Sequence, residues 1–540
     1  MKTLIFLIFF GISNLFSQSF PGKYWIELTD KNNCGFNTSN PENFLSQRAI
    51  DRRERHSIPI VYTDLPISQI YIDSLEKLGC TIVVKSKWLN AITIATTDTA
   101  LLDTITNISF IKHIDRFTTK AKYTNSTTSG IKNTDNFYNY GQGYNQIHIH
   151  NGEVLHNNNF RGENMLIAIL DAGFIDVDII EGFANLFSDN RIVATKNIVD
   201  GSNNVYEFHS HGTMVLSTIA TYLPGQFIGT APQASFALIR TEDASSEFKI
   251  EEDFWVAGAE YADSIGADVI NSSLGYTTFN DTRQNYSYSD LNGKTARISI
   301  AATIAAQKGI LVVNSAGNEG NSAWHSIGVP ADADSILSVG AVDVNGNYAS
   351  FSSTGPTSDG RIKPDVSAVG SSSTVLSTSG SIISASGTSF SSPITAGLAT
   401  CLWQAKPDLT NIELINIITK NSSQFTQPNS LLGYGIPNFA NALLYIEQIN
   451  GYSNSDEFVL TSANPFKNEI TFDFFSASNQ TIKICLYDIL GKEIYNNTKT
   501  VYKYSKNSYS LNYLSNLNNG IFILKIYTTN NTKQIKLIKN

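Results

Sequence analysis

Four polar residues stand where apolar runs begin or end, and each is of a type that moves protons or holds charge. Asp171 follows "MLIAIL" and precedes Ala172 and Gly173. His211, in "SHGTMV", opens the small-residue run "GTMVLSTIAT". Asn318 lies in "VVNSAGNEG", beyond a second apolar run, and Ser389 lies in "SGTSFSSP", ahead of the helix-like "ITAGLATCLW". Singly, each has a plain reading: a cap for Asp171 and Ser389, a structural residue for His211, a turn residue for Asn318. Together they form a set. Serine is a poor nucleophile until a histidine accepts its proton, and that histidine needs an acid to fix its tautomer and stabilise its charged form. A developing oxyanion needs a donor already aimed at it, which an asparagine amide supplies. His209 and His211 could instead pair on a metal, but the chain has no HExxH and no third ligand at a ligand-like spacing.

The elements that must position this set are legible. Buried strands such as "MLIAIL", "DVIN" and "ILVVN" alternate with helical runs such as "DFWVAGAEYADSIG" and "ISIAATIAAQKG" across residues 138–448. Strands without polar alternation, interleaved with helices, predict an α/β fold with a parallel sheet covered on both faces. Active sites collect at the carboxyl edge of such a sheet. Gly387 gives backbone freedom before Ser389, and Pro393 is expected in the first turn of the helix that follows.

The order Asp…His…Ser is that of subtilisin, and here the chain resembles the subtilisin-like serine proteases. "AILDAGF", "SHGTMV" and "GTSFSSP" match the aspartate, histidine and serine segments of that family, "SAGNEG" its oxyanion asparagine segment, and "NSSLG" a substrate-binding strand. The resemblance implies a three-layer αβα fold. It makes Ser389 the nucleophile, His211 the general base and then acid, and Asp171 the residue that orients His211. The Asn318 side chain and the Ser389 backbone N–H would hold the oxyanion. It also implies that Ser273, Leu274 and Gly275 pair with substrate as an added strand, and that Ser315, Ala316 and Gly317 line the pocket before the scissile bond, whose small side chains suggest an open, apolar space. Met214 stands where relatives often carry a second histidine, a position without chemistry in the pattern. The loop "TYLPGQFIG" lacks the Asp and Asn from which relatives build a calcium site. Asp281, Asp290 and Asn292 in a neighbouring insertion are read as a solvated loop, so no metal or cofactor is expected.

The flanks differ in character. Residues 1–18, "MKTLIFLIFFGISNLFSQ", read as a secretory signal peptide, its apolar run being short for a bilayer span of about 20 residues. Residues 19–137 comprise a small α+β unit with an antiparallel sheet and a polar linker, and resemble a subtilase propeptide, which would template folding and inhibit the enzyme until cut away. Its helix around "ISQIYIDSLEKLG" places Ile67, Ile70, Tyr71, Leu75 and Leu78 near one helix face. Its basic stretch "RAIDRRERHSIP" reads as a solvated helix because Asp and Glu interleave the charges. Residues 456–540 read as an all-β, sandwich-like domain. "ANPFKNEITF", "LYDILGKEI", "NGIFILKI" and the Lys-rich end resemble the sorting domain of the type IX secretion system. The implied partners are protein substrates, the chain's own propeptide and the secretion machinery, and a monomer is expected, secreted or at the cell surface. With 540 residues, a net charge of −9 and no basic block, a nucleic-acid partner is not expected. The four cysteines are too sparse for a disulfide scaffold and read as separate buried thiols, with Cys34–Cys80 the one bridge worth testing.

Overall fold

The structure, a computed structural model, describes residues 22–117, 137–449 and 457–540 apart from 461, 463, 476–479, 502–505, 513 and 530. The expected signal peptide and most of the linker lie outside the described residues.

The central sheet has seven strands. They are β5 (Leu166–Asp171), β6 (Ile192–Asn197), β7 (Ser235–Arg240), β8 (Val269–Ser272), β9 (Leu311–Ser315), β10 (Leu337–Val342) and β11 (Val366–Val369). The spatial order is β11-β10-β9-β8-β5-β7-β6, and every pairing is parallel. The inner strands β5, β8, β9 and β10 are buried throughout because both faces are covered, whereas the edge strand β6 is only partly buried. In β5, Ile167 and Ile169 enter the core shared with helices α4 (His211–Ala220) and α7 (Thr388–Ala405). Leu166, Ala168 and Leu170 enter the opposite core with α5 (Ile250–Ile265) and α6 (Arg297–Gln307). This alternation is the period-two geometry of a strand. The fold is therefore a three-layer αβα sandwich, the architecture that the resemblance implies.

Ahead of it, β1 (Gly22–Leu28), β2 (Thr81–Ser86), β3 (Ala91–Thr96) and β4 (Ile111–Phe117) form an antiparallel sheet in the order β2-β3-β1-β4. Helices α2 (Gln69–Lys77) and α3 (Ala100–Thr106) supply Ile72, Leu75, Leu102 and Ile105 to its core. Of the apolar residues placed near one helix face, Ile70 and Leu78 are exposed, because the buried face of α2 centres on Ile72 and Leu75. The basic stretch also departs from expectation. It forms α1 (Gln47–Arg55), and Arg52 and Arg53 are fully buried, their charges met by carboxylates. All four cysteines are free thiols, and Cys34 is only half-buried.

The C-terminal unit is a sandwich of two antiparallel sheets. Strands β12 (Glu457–Leu460), β13 (Ile470–Phe475) and β16 (Lys506–Leu511) form one. Strands β14 (Gln480–Asp488), β15 (Glu493–Val501), β17 (Gly520–Tyr527) and β18 (Thr532–Lys539) form the other. Phe472, Phe474, Ile484, Leu486 and Leu524 fill the space between them. No helix among the described residues is long and apolar enough to cross a membrane.

Candidate active site

Asp171 is the last residue of β5 and is fully buried. A buried carboxylate is costly unless hydrogen-bonded. Asp171 Oδ1 accepts from the Ala172 N–H at 2.8 Å and lies 2.8 Å from His211 Nδ1, with Oδ2 at 3.1 Å. His211 is the first residue of α4. The helix can begin this close to β5 because residue 212 is glycine: a Cβ there would stand 2.3 Å from the Gly173 carbonyl oxygen. Thr213 Oγ1 ties the same turn to the Ile175 carbonyl at 2.8 Å. His209 gains a task that its sequence position did not reveal. Its Nδ1 accepts the otherwise unpaired His211 N–H at 3.3 Å, a cap for the helix start.

Ser389 is the second residue of α7, so Pro393 sits one turn deeper than the first-turn position expected of it. The consequence is local. Proline has no N–H to return to the carbonyl four residues back, which is that of Ser389. Ser273 Oγ donates to that carbonyl instead, at 2.9 Å, and Ser389 Oγ donates to the Ser273 carbonyl at 3.4 Å. The segment after β8 and the start of α7 are thereby joined. Asn318 is exposed at the cleft, and its Oδ1 accepts from the Thr388 N–H at 2.8 Å and from Thr388 Oγ1 at 3.1 Å. Two donors on the oxygen fix the amide, leaving Nδ2 as the donor on its other side.

His211, Asn318 and Ser389 share a cleft of about 250 Å³ at the carboxyl edge of the sheet, with Ser273, Leu274, Gly275, Ser315 and Gly317 in its walls. Ala316 does not face it: its side chain is fully buried in the α5/α6 core, because alternate residues leaving β9 point to opposite faces. Nor is the cleft simply apolar. Glu242, Glu247 and Glu319 also line it, and sequence reasoning missed them. Glu242 stands two residues beyond the end of β7, so the carboxyl-edge rule that selected Asp171 could have selected it too. Asp281, Asp290 and Asn292 do not converge. Asp281 holds Arg283, Asp290 accepts from Ser287, and Asn292 accepts from Lys294 and Thr295. Among the described residues no group of three or more His, Cys, Asp or Glu side chains is placed to hold a metal.

Burial of the His211 ring lowers its pKa, but the charge and hydrogen bond of Asp171 outweigh this and the net shift is upward from 6.5. Only the neutral ring can accept a proton. The acid limb of kcat/KM is therefore expected above pH 6.5, with activity lost as pH falls through it; a limb below 6.5 in a pH–rate profile would contradict this arrangement.

The subtilase family profile matches residues 162–435. The chain belongs to the subtilase family. A Bacteroidota profile for the peptidase S8 propeptide domain matches residues 23–133, and a secretion system C-terminal sorting domain matches residues 463–540. Subtilisin DY of Bacillus licheniformis is 32% identical over 266 residues, which cover 49% of this subtilase and 85% of that protein. A thermostable alkaline protease of Halalkalibacterium halodurans is 28% identical over 287 residues, 53% of this chain and 69% of its own. The crystal structure of the epidermin leader peptide processing serine protease of Staphylococcus aureus superimposes with a TM-score of 0.54 at 20% identity, covering 80% of this subtilase and 99% of that chain. The subtilase is thus a serine endopeptidase made with a propeptide, and its sorting domain indicates export.

Proposed function

We propose that the subtilase hydrolyses peptide bonds of proteins through an acyl-enzyme on Ser389. The observation that carries this reading is the bond from Asp171 to His211 Nδ1, which leaves the other ring nitrogen to serve the serine at the head of α7. Ser389 Oγ attacks the scissile carbonyl while His211 Nε2 takes its proton and returns it to the leaving amine; water then repeats the sequence on the ester. Asn318 Nδ2 and the Ser389 N–H, at the positive end of an 18-residue helix, receive the oxyanion. Substrate lies along Ser273–Gly275. Gly275 makes no backbone hydrogen bond among the described residues, which suits an edge that pairs with an added strand. Ser315 and Gly317 wall the residue before the scissile bond. The reaction needs no metal or cofactor.

The remainder of the proposal concerns the life of the chain. A signal peptide at residues 1–18 directs export, residues 19–137 inhibit the enzyme until cleavage in the linker, and type IX machinery recognises residues 456–540. The product is a monomer, secreted or held at the cell surface.

Fluorophosphonate labelling of the mature enzyme tests the chemistry. Wild type is expected to label at Ser389 and Ser389→Ala to remain unlabelled; unlabelled, correctly processed wild type would sink the reading. Asn318→Ala removes one oxyanion donor and is expected to lower kcat by about 10²–10³-fold with little change in KM, a split that steady-state kinetics on one peptide substrate resolves.

A further inference from the structure

One wall of the cleft has no part in the proposed reaction. Along the carboxyl edge, Ser315 ends β9, Ser273–Gly275 follow β8, Asp171 ends β5 and Glu242 follows β7. The strands lie in the order β9-β8-β5-β7. A chain laid on Ser273–Gly275 therefore has the Ser315–Gly317 wall on one side and Glu242 on the other. Glu242 is near enough to the catalytic pair for Asp171 and His211 to act on its charge, while Glu247 stands further along, where its backbone pairs with Asn280. Glu251, in the first turn of α5, lies behind both and is fully buried.

His211 and Arg240 act on Glu242 only at a distance. No ion pair among the described residues involves Glu242, Glu247 or Glu251. The cations beside them in sequence are engaged elsewhere, Arg240 with Asp243 at 3.8 Å and Lys249 over the Tyr286 ring at 4.2 Å. Burial, and then the neighbouring carboxylates, push Glu242 up to about 8 and Glu251 up to about 11; burial alone pushes Glu247 up to about 7. A second observation points to a missing partner. The Tyr276 hydroxyl, on a residue only 1% exposed, has no hydrogen-bond partner among the described residues, and it sits within the electrostatic reach of all three glutamates. Glu251 Oε2 is likewise buried without a partner.

We propose that this wall is a specificity subsite for a basic side chain, lysine or arginine, of the protein substrate, with Glu242 as its principal contact. The inference deepens the reading of the cleft given above and rests on it. In an extended substrate, successive side chains point to opposite sides. With one residue against Ser315–Gly317, the residue before it faces Glu242, and the residue two further back faces the same side, toward Glu247. A cation there forms charge-assisted bonds with these carboxylates. The chain's own linker carries the matching pattern: residues 118–123 read Thr-Thr-Lys-Ala-Lys-Tyr, with Lys120 and Lys122 two apart.

The test uses the mature enzyme, its active sites titrated with fluorophosphonate. The substrates are fluorogenic peptides that differ only in the second residue before the cleaved bond: Lys, Arg, Gln, Met or Glu. Wild type is expected to favour Lys and Arg over Met by about tenfold or more in kcat/KM. That ratio, taken within each enzyme so that misfolded protein cancels, is expected to fall toward one in Glu242→Gln and to turn toward Glu in Glu242→Lys. A titratable wild type that cleaves all the peptides within about twofold, or a preference that survives Glu242→Gln, overturns the subsite and leaves Ser389 chemistry standing. Absence of both titration and cleavage removes the reading of the cleft and the subsite with it.

Discussion

Asp171→Asn is expected to lower kcat by about 10⁴-fold while KM barely moves. The substitution keeps size and shape, so the cleft should persist. What changes is the proton on the histidine. Asp171 accepts both from the Ala172 N–H and from His211 Nδ1. An asparagine that keeps its oxygen on the Ala172 N–H turns its NH₂ toward Nδ1, which must then be an acceptor. The ring proton moves to Nε2, facing the serine it should deprotonate. The asparagine also cannot stabilise the imidazolium formed during attack. The readouts are kcat and the rate of fluorophosphonate incorporation, measured on protein matured by directed cleavage in the linker; a loss under about tenfold would show that Asp171 does not orient His211.

Asp263→Ala is expected to weaken inhibition by the propeptide by about a hundredfold or more. Asp263 projects from α5 into the propeptide and is fully buried there. Its carboxylate meets Arg52 at 2.5 Å and Arg53 at 3.0 Å, with Lys87 at 3.7 Å. Burial alone would raise its pKa, but the two arginines and the lysine hold it down to about 2. Arg53 also reaches Asp64, which Lys308 of the catalytic domain meets at 2.9 Å. Deleting one partner of a buried pair costs about 3–5 kcal/mol, because the other charge stays desolvated, and each 1.4 kcal/mol is about tenfold in affinity. Nearby, Glu260 accepts Ser86 Oγ and the Lys87 and Trp88 N–H groups at 2.7–2.9 Å, and Thr93 donates to Asp253 at 2.8 Å. The measurement is the Ki of residues 22–117, added to mature wild type and to mature Asp263→Ala. Equal Ki values would mean that the desolvation of these charges cancels their attraction.

Asp171 and the buried arginines differ in how legible their partners are in the sequence. Asp171 was selected because an acid directly after an apolar strand sits at the edge where such sheets place their chemistry. Arg52 and Arg53 read as solvated, since the Asp and Glu beside them in "RAIDRRER" supply an adequate local explanation. Their partners include Asp263, some 210 residues away in sequence, and the carbonyls of Ala267 and Lys308, just beyond the ends of α5 and α6. Ile70 and Leu78 are exposed for a related reason: a helix periodicity names a broad apolar stripe, and the neighbouring sheet decides which part of it is covered.

By itself the sequence determined the family, the four residues proposed to carry its reaction and the parallel sheet beneath them. These are encoded locally, in apolar runs that define strands and in short segments whose glycine, proline and polar residues shape a strand end or a helix start. Only the tertiary structure decided what faces the cleft. It turned Ala316 into the core, let Ser273 take the Ser389 carbonyl that Pro393 leaves free, and set Glu242 and Glu247 opposite the Ser315–Gly317 wall. It also buried two arginines under a foreign helix. Such partners come together through packing of segments distant in the chain, and no local pattern of residue types records which surfaces will meet.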